Sequence, residues 1–369
     1  MKAKITIRDI ARLAGVSKST VSRVLNRSSN VDPETRERVM RVVEEQGFVP
    51  SIAATELARG RNRLIGMVVP ALSWHLVTDI IQGVARVIEN SPYEIILYSS
   101  SPEKDFNHIV DRILATNLTV GLLAVIHNQS PQHLIDLYEH GLPIVMINNI
   151  ALRLDIPSVE TDNVGGARMA VQHLISLGHR RIACLLGTPN MPFLDDRYEG
   201  YCSALAEAGI DLDPELILRC EVTVAGARAC TWKLFAMDQR PTAIFASNDY
   251  TAYGVLSTAD EIGWHVPTEL AVVGFDDISP SAHVRPPLTT VRQPFEEMGQ
   301  RAAEMLLSII DEHHIPIKEG STQSALNGHV PPAKNYDPLP LQVQLPTTLV
   351  VRESCGSPRH LSVQSTTLF

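Results

Sequence analysis

The sequence predicts a small all-α head of the helix-turn-helix type, followed by an α/β body of two doubly wound parallel-sheet lobes. Three observations favour this fold class. Short amphipathic helical patterns fill residues 1–49, buried-strand patterns alternate with helical patterns after residue 63, and the length of 369 residues suggests two or three domains.

Charge is distributed unevenly along the chain. The net charge is −9, yet residues 1–63 hold 13 Lys and Arg against 7 Asp and Glu. A basic head on an acidic body is expected when only the head binds a polyanion, although a solvated charged face is the usual meaning of basic charge alone.

The same sequence disfavours several classes of protein. No apolar run reaches 18 residues and the N-terminus has no signal-peptide core, so we expect a cytoplasmic protein. The five cysteines lack a metal-ligand spacing, which favours reduced thiols. His313, His314 and His329 are interpreted as solvated, so neither a metal nor another cofactor is expected. No nucleophile, base and orienting residue form a recognisable motif, so an enzyme is disfavoured and no catalytic residue is expected.

The stretch SKSTVSRVLN, residues 17–26, reads as an amphipathic helix with Ser17 as its N-cap. Val21, Val24 and Leu25 fall at i, i+3 and i+4 and form an apolar stripe. The opposite face carries donors suited to base edges and phosphates, namely Lys18, Ser19, Ser22, Arg23 and Asn26.

Two further helices complete a predicted three-helix bundle. Thr6 and Asp9 predict a capping box that starts a first helix of about two turns. Asp32 as N-cap, followed by a proline, predicts a third helix that stops at Gly47.

The body alternates apolar runs with helical patterns. Helices are predicted near residues 164–177, 198–208 and 250–262. Such alternation predicts two parallel sheets with a ligand cleft at the carboxyl ends of their strands. The runs interpreted as strands buried on both faces are LIGMVV, EIILYS, GLLAVI, IVMI, RIACLL, AIFA and AVVGF.

Two sets of motifs carry a resemblance to a known family. TIRDIARLAGVSKSTVSRVLN followed by VDPETRERV is similar to the DNA-binding head of the lactose-repressor (LacI/GalR) family of bacterial transcription regulators. TDNVGGARMAVQHLISLGHRRIA, RYEGYCSAL, TAIFASNDYTAYG, AVVGFDDI and PPLTTVRQPFEEMG resemble the regulatory portion of that family, which is similar to type I periplasmic sugar-binding proteins.

The resemblance implies how the head binds DNA. Lys18, Ser19 and Arg23 are expected to read bases in the major groove. Residues 50–63 match a hinge helix that inserts Leu57 into the minor groove beside Ala54, with a plain basic linker as the alternative. The remaining polar positions are expected to hold phosphates or cap helices, and they are Thr6, Ser17, Thr20, Ser22 and Asn26. For Thr20 and Ser22, the alternative is a plain surface hydroxyl without a DNA contact.

The resemblance also maps an effector site onto the body. Arg197, Asn248 and Asp276 are the strongest candidates, since they offer donors and acceptors suited to a polyhydroxylated ligand. Their neighbours Asp249 and Asp277 are interpreted as helix caps or turn formers. Further pocket positions, with ring stacking or ordinary packing open for the two aromatic ones, are Ser73, Asn148, Trp74 and Phe193.

The expected domain order follows from these elements. The chain is expected to cross between lobes near Thr161, near Val291 and before the last strand, and the helix from Phe295 to Ile310 is expected to join the first lobe. The predicted parts are a head (1–49), a linker (50–63), a body (64–355) of a first lobe (64–161 and about 292–320) and a second lobe (162–291 and about 342–355), an irregular insertion (311–341) and a flexible tail (356–369).

The function implied is that of a homodimeric, cytoplasmic and nucleoid-associated regulator. It would read a pseudo-palindromic operator and repress a carbohydrate-utilisation operon until a small sugar-like effector releases it. The alternative is a regulator whose corepressor ligand or protein partner strengthens operator binding. A sugar-transport component is disfavoured by the basic head and the missing signal peptide.

Overall fold

The structure is a computed structural model that describes residues 5–25, 30–48, 63–72, 74–99, 106–115, 119–125, 132–148, 156–188, 192–313 and 342–356. Contacts divide the chain into two compact units, one of residues 1–64 with 113–120 and one of residues 65–112 with 121–369. The α-helices in the described residues are α1 (Ile7–Ala14), α2 (Lys18–Leu25), α3 (Pro33–Glu45), α4 (His75–Ile88), α5 (Phe106–Ala115), α6 (Gln132–Glu139), α7 (Asn163–Ser176), α8 (Pro192–Glu207), α9 (Val224–Phe235), α10 (Asp249–Glu261) and α11 (Phe295–His313).

The strands form two six-stranded sheets. The first contains β1 (Leu64–Val69), β2 (Glu94–Ser99), β3 (Thr119–Val125), β4 (Ile144–Ile147), β5 (Ser158–Thr161) and β11 (Gln342–Leu345). The second contains β6 (Ile182–Leu186), β7 (Ile217–Arg219), β8 (Ala243–Ala246), β9 (Ala271–Asp276), β10 (Thr289–Arg292) and β12 (Thr348–Val350).

The head is a bundle of α1, α2 and α3. The predicted capping box is present, because the Thr6 hydroxyl accepts from the Asp9 amide at 3.4 Å and the Asp9 carboxylate accepts from the Thr6 amide at 3.0 Å. Ser17 caps α2 as expected, its Oγ accepting from the Thr20 amide at 3.1 Å. The core of the bundle is apolar and contains Ile10, Ala14, Val21, Val24, Val39 and Val43.

The third helix begins where the sequence predicts. The Asp32 carboxylate accepts from the amides of Glu34 at 3.0 Å and Thr35 at 3.2 Å. The helix ends at Glu45, earlier than the predicted stop at Gly47. Gly47 has a φ of 57°, so it forms the left-handed turn after the helix end.

The first lobe consists of the sheet ordered β11-β5-β4-β3-β1-β2, the helices α4 to α6 that connect its strands, and α11. Strands β3, β4, β5 and β11 pair in parallel. The prediction that EIILYS is buried on both faces is wrong, because β2 lies at the sheet edge and exposes Glu94, Leu97 and Ser99. Helix α11 packs in this lobe, against α4 and β4.

The second lobe consists of the sheet ordered β12-β10-β9-β8-β6-β7 and the helices α7 to α10. Alternate residues of β6 face two separate apolar layers, so that Cys184 packs with α7 and α8 while Leu185 packs with α9 and α10. This two-sided packing confirms the doubly wound architecture. The described pairings are parallel except that β12 runs antiparallel to β10.

The chain passes between the lobes three times. The expectation that the residues from about 342 belong to the second lobe is wrong, because β11 pairs with β5 in the sheet of the first lobe. The first crossing joins β5 to α7 at Asp162, the second joins β10 to α11 at Gln293, and the third joins β11 to β12. The Asp162 amide donates to the Leu345 carbonyl at 2.9 Å, so the first and third crossings are bonded to each other.

The structure also extends or leaves open several expectations. Helix α11 continues past Ile310 to His313 and so takes the first residues of the predicted insertion. The rest of that insertion, the tail after Gly356, and the hinge positions Ala54 and Leu57 lie outside the described residues. Within the described chain, no helix is both long and apolar enough to span a membrane.

Helices α4 and α11 cross closely at glycines. A Cβ on Gly83 would overlap the backbone carbonyl of Glu296, and a Cβ on Gly299 would overlap that of Ile80. Because these neighbours are backbone atoms, neither helix can yield without shifting as a whole.

We expect Gly83→Ala to destabilise the body by about 1–3 kcal/mol, since the added methyl group forces the helices apart. Gln82→Ala, on the exposed face of the same helix, should stay within about 0.5 kcal/mol of the parent. Calorimetric unfolding measures the difference, and equal unfolding temperatures for the two variants would contradict the close crossing.

Candidate functional site

Helix α2 presents an exposed polar face. Lys18, Ser19 and Arg23 are exposed, whereas Val21 and Val24 are buried beneath them. No carboxylate among the described residues pairs with Lys18 or Arg23. This face of the head therefore offers uncompensated donors to an outside partner.

The hydroxyl groups around the start of α2 bond to one another. Ser17 Oγ lies 2.7 Å from Ser19 Oγ and 2.8 Å from Thr20 Oγ1. Thr6 and Ser17, for which a phosphate contact or a cap was open, act as caps in this structure. Ser22 is half-buried. Asn26 lies outside the described residues.

A cavity of about 90 Å³ lies in the cleft between the two lobes. Asn148 follows β4, Asn248 follows β8 and Asp276 ends β9, so polar groups gather at the carboxyl ends of strands. Ser73 lies outside the described residues. The other six predicted effector residues all line the cavity, namely Trp74, Asn148, Phe193, Arg197, Asn248 and Asp276.

Four other residues complete the lining. Sequence reasoning missed these four, which are Leu76, Val222, Tyr250 and Gln293. Gln293 had a usable signal, because it is the polar residue that follows β10 directly, where the chain crosses between lobes. It also lines a wider cavity of about 550 Å³ against α11.

Arg197 lies on α8, and its charged side chain is only 3% exposed. Several partners hold it in place. Its Nε donates to Asn163 Oδ1 at 2.8 Å and its Nη1 donates to the Ser247 carbonyl at 2.5 Å. Its Nη2 lies 3.2 Å from Asp276 Oδ1, and the Phe275 ring stacks at 3.7 Å from the guanidinium carbon. Burial lowers the pKa of Arg197, while the Asp276 carboxylate raises it.

Asp276 belongs to a closed set of side-chain hydrogen bonds that includes two crossings. Gln293 Nε2 donates to Asp276 Oδ1 at 2.6 Å, and Gln293 Oε1 accepts from Thr161 Oγ1 at 2.7 Å. Asn163 Nδ2 donates to the Thr161 carbonyl at 3.2 Å. Because Asn163 also accepts from Arg197, which pairs with Asp276, the set of bonds closes on itself. We call these five residues, Thr161, Asn163, Arg197, Asp276 and Gln293, the crossing ring.

Asn248 has a structural role in addition to lining the cavity. It is the N-cap of α10, and its Oδ1 accepts from the Thr251 amide at 2.8 Å. The cap bond takes one of the two lone pairs of this oxygen, so Oδ1 and Nδ2 both keep hydrogen-bonding capacity in the cavity that Asn248 lines.

The two neighbouring aspartates have structural roles, as the sequence indicates. Asp249 is fully buried and accepts from the Ile278 amide at 2.9 Å and from the hydroxyls of Ser281 at 2.6 Å and Thr290 at 2.5 Å. It thus holds the loop after β9, while Asn248 supplies the cap. Burial, and then the nearby Asp276 carboxylate, raise the pKa of Asp249 to about 7.

Asp277 is held by two arginines. Its carboxylate accepts from Arg292 Nε at 2.7 Å and from Arg352 Nη2 at 2.6 Å. Three non-glycine residues of the described chain have φ in the left-handed region: Asn148 at 62°, Asp276 at 113° and Asp277 at 53°. Two of them line the cavity, so backbone strain is concentrated at this site.

Comparison with known proteins agrees with this arrangement. Residues 6–51 match the model of bacterial regulatory proteins of the lacI family, and residues 171–326 match that of a periplasmic binding protein-like domain. The chain is 33% identical over 324 residues to the HTH-type transcriptional repressor CytR of Escherichia coli (strain K12), covering 85% of this chain and 94% of that relative.

Two solved structures are similar along nearly the whole chain. A complex of the transcriptional regulator CelR with cellobiose has 30% identity and a TM-score of 0.66, covering 95% of this chain and 99% of the other. The lac repressor dimer bound to operator and the anti-inducer ONPF has 25% identity and a TM-score of 0.77, covering 96% and 99%.

A helix-turn-helix head joined to a two-lobed body with a polar cleft defines a DNA-binding transcriptional regulator with an effector-binding domain. The chain belongs to the lacI family of bacterial regulatory proteins. Proteins of this family are regulators and not enzymes.

The crossing ring predicts energetic coupling between distant positions. We expect Thr161→Val and Gln293→Met each to destabilise the body by about 1–3 kcal/mol, because each leaves a buried polar partner unsatisfied. The double variant should cost less than the sum by at least about 0.5 kcal/mol. Thr258→Val, which removes a buried hydroxyl that bonds within α10, should be additive with Gln293→Met. Denaturant unfolding of the three single and two double variants measures these energies, and additivity of Thr161→Val with Gln293→Met would contradict the crossing ring.

The raised pKa of Asp249 predicts a pH effect on stability. The folded state favours the protonated carboxyl, so this stability is complete below about pH 4 and is lost as the pH rises through about 7. The free energy of unfolding should therefore fall between pH 4.5 and 7.5 more steeply than in Asp249→Asn, by up to about 1.4 kcal/mol per pH unit. If the free energy of unfolding falls with pH equally in the parent protein and in Asp249→Asn, the pH effect does not come from Asp249.

Proposed function

We propose that this regulator represses a carbohydrate-utilisation operon and is released from its operator by a small sugar-like effector bound between the lobes. The observation that carries the DNA-binding part is the exposed face of α2, where Lys18 and Arg23 have no carboxylate partner among the described residues. Its similarity to the CelR complex with cellobiose supports a sugar as effector.

In the proposed complex, Lys18, Ser19 and Arg23 read base edges in the major groove. Their exposure supports this role, and Arg and Lys are the residues that most often recognise guanine there. The hydroxyls of Thr20 and Ser22 bind phosphates, which position the helix without adding sequence specificity. Asn26, Ala54 and Leu57 keep their predicted DNA roles.

In the proposed effector complex, Asp276 accepts from ligand hydroxyls while Arg197 and the Nδ2 of Asn248 donate to them. The rigid hold on Arg197 supports this, since preorganised donors lose little entropy on binding. Trp74 and Phe193 give the sugar ring of the effector an apolar surface to lie against, and Asn148 adds a polar group from the first lobe.

We propose that the active form is a homodimer on a pseudo-palindromic operator, in the bacterial cytoplasm and on nucleoid DNA. Leu72 and Leu97 of the first lobe are 56% and 40% exposed, which supports burial of this surface against a second copy. Two heads on one dimer match two half-sites about one helical turn apart. The similarity to the lac repressor dimer supports the same assembly.

The crossing ring suggests how the cleft controls the response. An effector that bonds to Asp276 competes with Gln293, which also bonds to Thr161 at the first crossing. A change at the cleft therefore alters two crossings directly. Because coupling is reciprocal, operator DNA must weaken effector binding by the same factor by which the effector weakens DNA binding.

Operator binding tests the proposal with two arginine variants of the head. We expect Arg23→Ala to cost about 1–3 kcal/mol on an operator selected from random DNA and far less on non-specific DNA, because only the specific complex uses base contacts. Arg41→Ala, which removes an exposed arginine from α3, should change both affinities little. Gel-shift titrations at fixed salt measure them. Failure to select any operator would refute the function, and an equal loss on both DNAs would refute base reading by Arg23.

A further inference from the structure

We infer that the effector carries no negative charge: the cleft is built for a neutral, polyhydroxylated ring with an apolar face and rejects phosphorylated or carboxylated relatives of that ring. The inference rests on the proposed function, because it assumes that the cavity between the lobes is the effector site. It specifies which class of sugar-like compound that site accepts.

The cavity has a single cation to offer. Of the ten described residues that line it, only Arg197 is positively charged. Its Nε, Nη1 and Nη2 each already have a partner within the protein, and the Phe275 ring covers one of its faces. Two of its five N–H groups remain for a ligand, which is enough for hydroxyl oxygens.

The charge of Arg197 is already compensated. Asp276 forms an ion pair with it at 3.2 Å and lines the same cavity. The buried Asp249 and the half-buried Asp196 also act on the guanidinium electrostatically. The Asp276 carboxylate alone balances the charge of the guanidinium, so an incoming anion would face Asp276 with no counter-ion of its own.

The other usual anion site is also blocked. Backbone amides at a helix N-terminus commonly bind phosphate, and the N-terminus of α10 reaches the cavity through Asn248 and Tyr250. Here the Asn248 Oδ1 occupies the Thr251 amide, and Asp249 puts a carboxyl group in the first turn. An anion would meet a helix end whose Thr251 amide is already bonded and whose first turn holds the buried Asp249 side chain.

The rest of the lining suits a flat or ring-shaped neutral molecule. Trp74, Leu76, Phe193, Val222 and Tyr250 supply apolar surface, while Asn148, Asn248, Asp276 and Gln293 supply acceptors and donors without net positive charge. Vicinal hydroxyls on one edge and an apolar face on the other match this division. Free sugars and nucleosides share that chemistry.

Matched pairs that differ only by a phosphate test the inference on the full-length protein. The pairs are D-ribose and D-ribose 5-phosphate, D-glucose and D-glucose 6-phosphate, and adenosine and adenosine 5′-monophosphate. Calorimetric titration should give at least one neutral compound that binds at least about tenfold more tightly than its phosphorylated partner. Which pair responds distinguishes a free sugar from a nucleoside.

The salt dependence of binding and two charge-changing variants test whether the charge of the cavity causes this preference. The Kd of the neutral compound should stay constant between 50 and 500 mM NaCl, because no ion pair with the ligand is screened. Asp276→Asn should narrow the gap between neutral and phosphorylated partners, since it leaves Arg197 uncompensated. Asp195→Asn makes the same charge change on the exposed side of α8 and should leave the gap unchanged.

Tighter binding of a phosphorylated partner, or an undiminished gap in Asp276→Asn, would overturn the inference. Absence of binding by every neutral compound would overturn it as well. None of these three results concerns operator binding through Arg23, so the failure of the effector class and the failure of the regulatory function remain distinguishable.

Discussion

The buried ion pair between Arg197 and Asp276 is the constraint on which the body of this regulator depends. Two charges removed from water cost more than their attraction returns unless further hydrogen bonds complete the site. Asn163, the Ser247 carbonyl and Gln293 supply those bonds. Because the pair is stable only with all of its partners, the geometry of the cleft and that of the crossings are specified together.

This dependence places the cavity between the lobes and the crossings in one hydrogen-bonded network. The Asp276 carboxylate is one bond away from Gln293 on the second crossing and two bonds away from Thr161 on the first. The third crossing joins through the bond between Asp162 and Leu345. All three connections between the lobes are therefore hydrogen-bonded to one another or to the lining of the cavity.

Much of the fold was predictable because its signals are local. The caps at Thr6, Ser17 and Asp32 and the apolar runs of β1 and β4 follow from rules that act within a few residues. The edge position of β2 could not be read, since an apolar run does not reveal how many neighbours a strand has. Arg197, Asn248 and Asp276 were found by resemblance, whereas Gln293 and the capping role of Asn248 arise from contacts between segments far apart in sequence.

The placement of α11 and β11 has a consequence for how the family can diversify. Both elements belong to the first lobe, so the chain that leaves α11 at His313 re-enters the same lobe at Gln342. Sequence added between these two points leaves and re-enters the same lobe. Doubling the length of such a connection costs only about 0.6 kcal/mol of closure entropy. Insertions and deletions there are therefore inexpensive and begin and end on the first lobe.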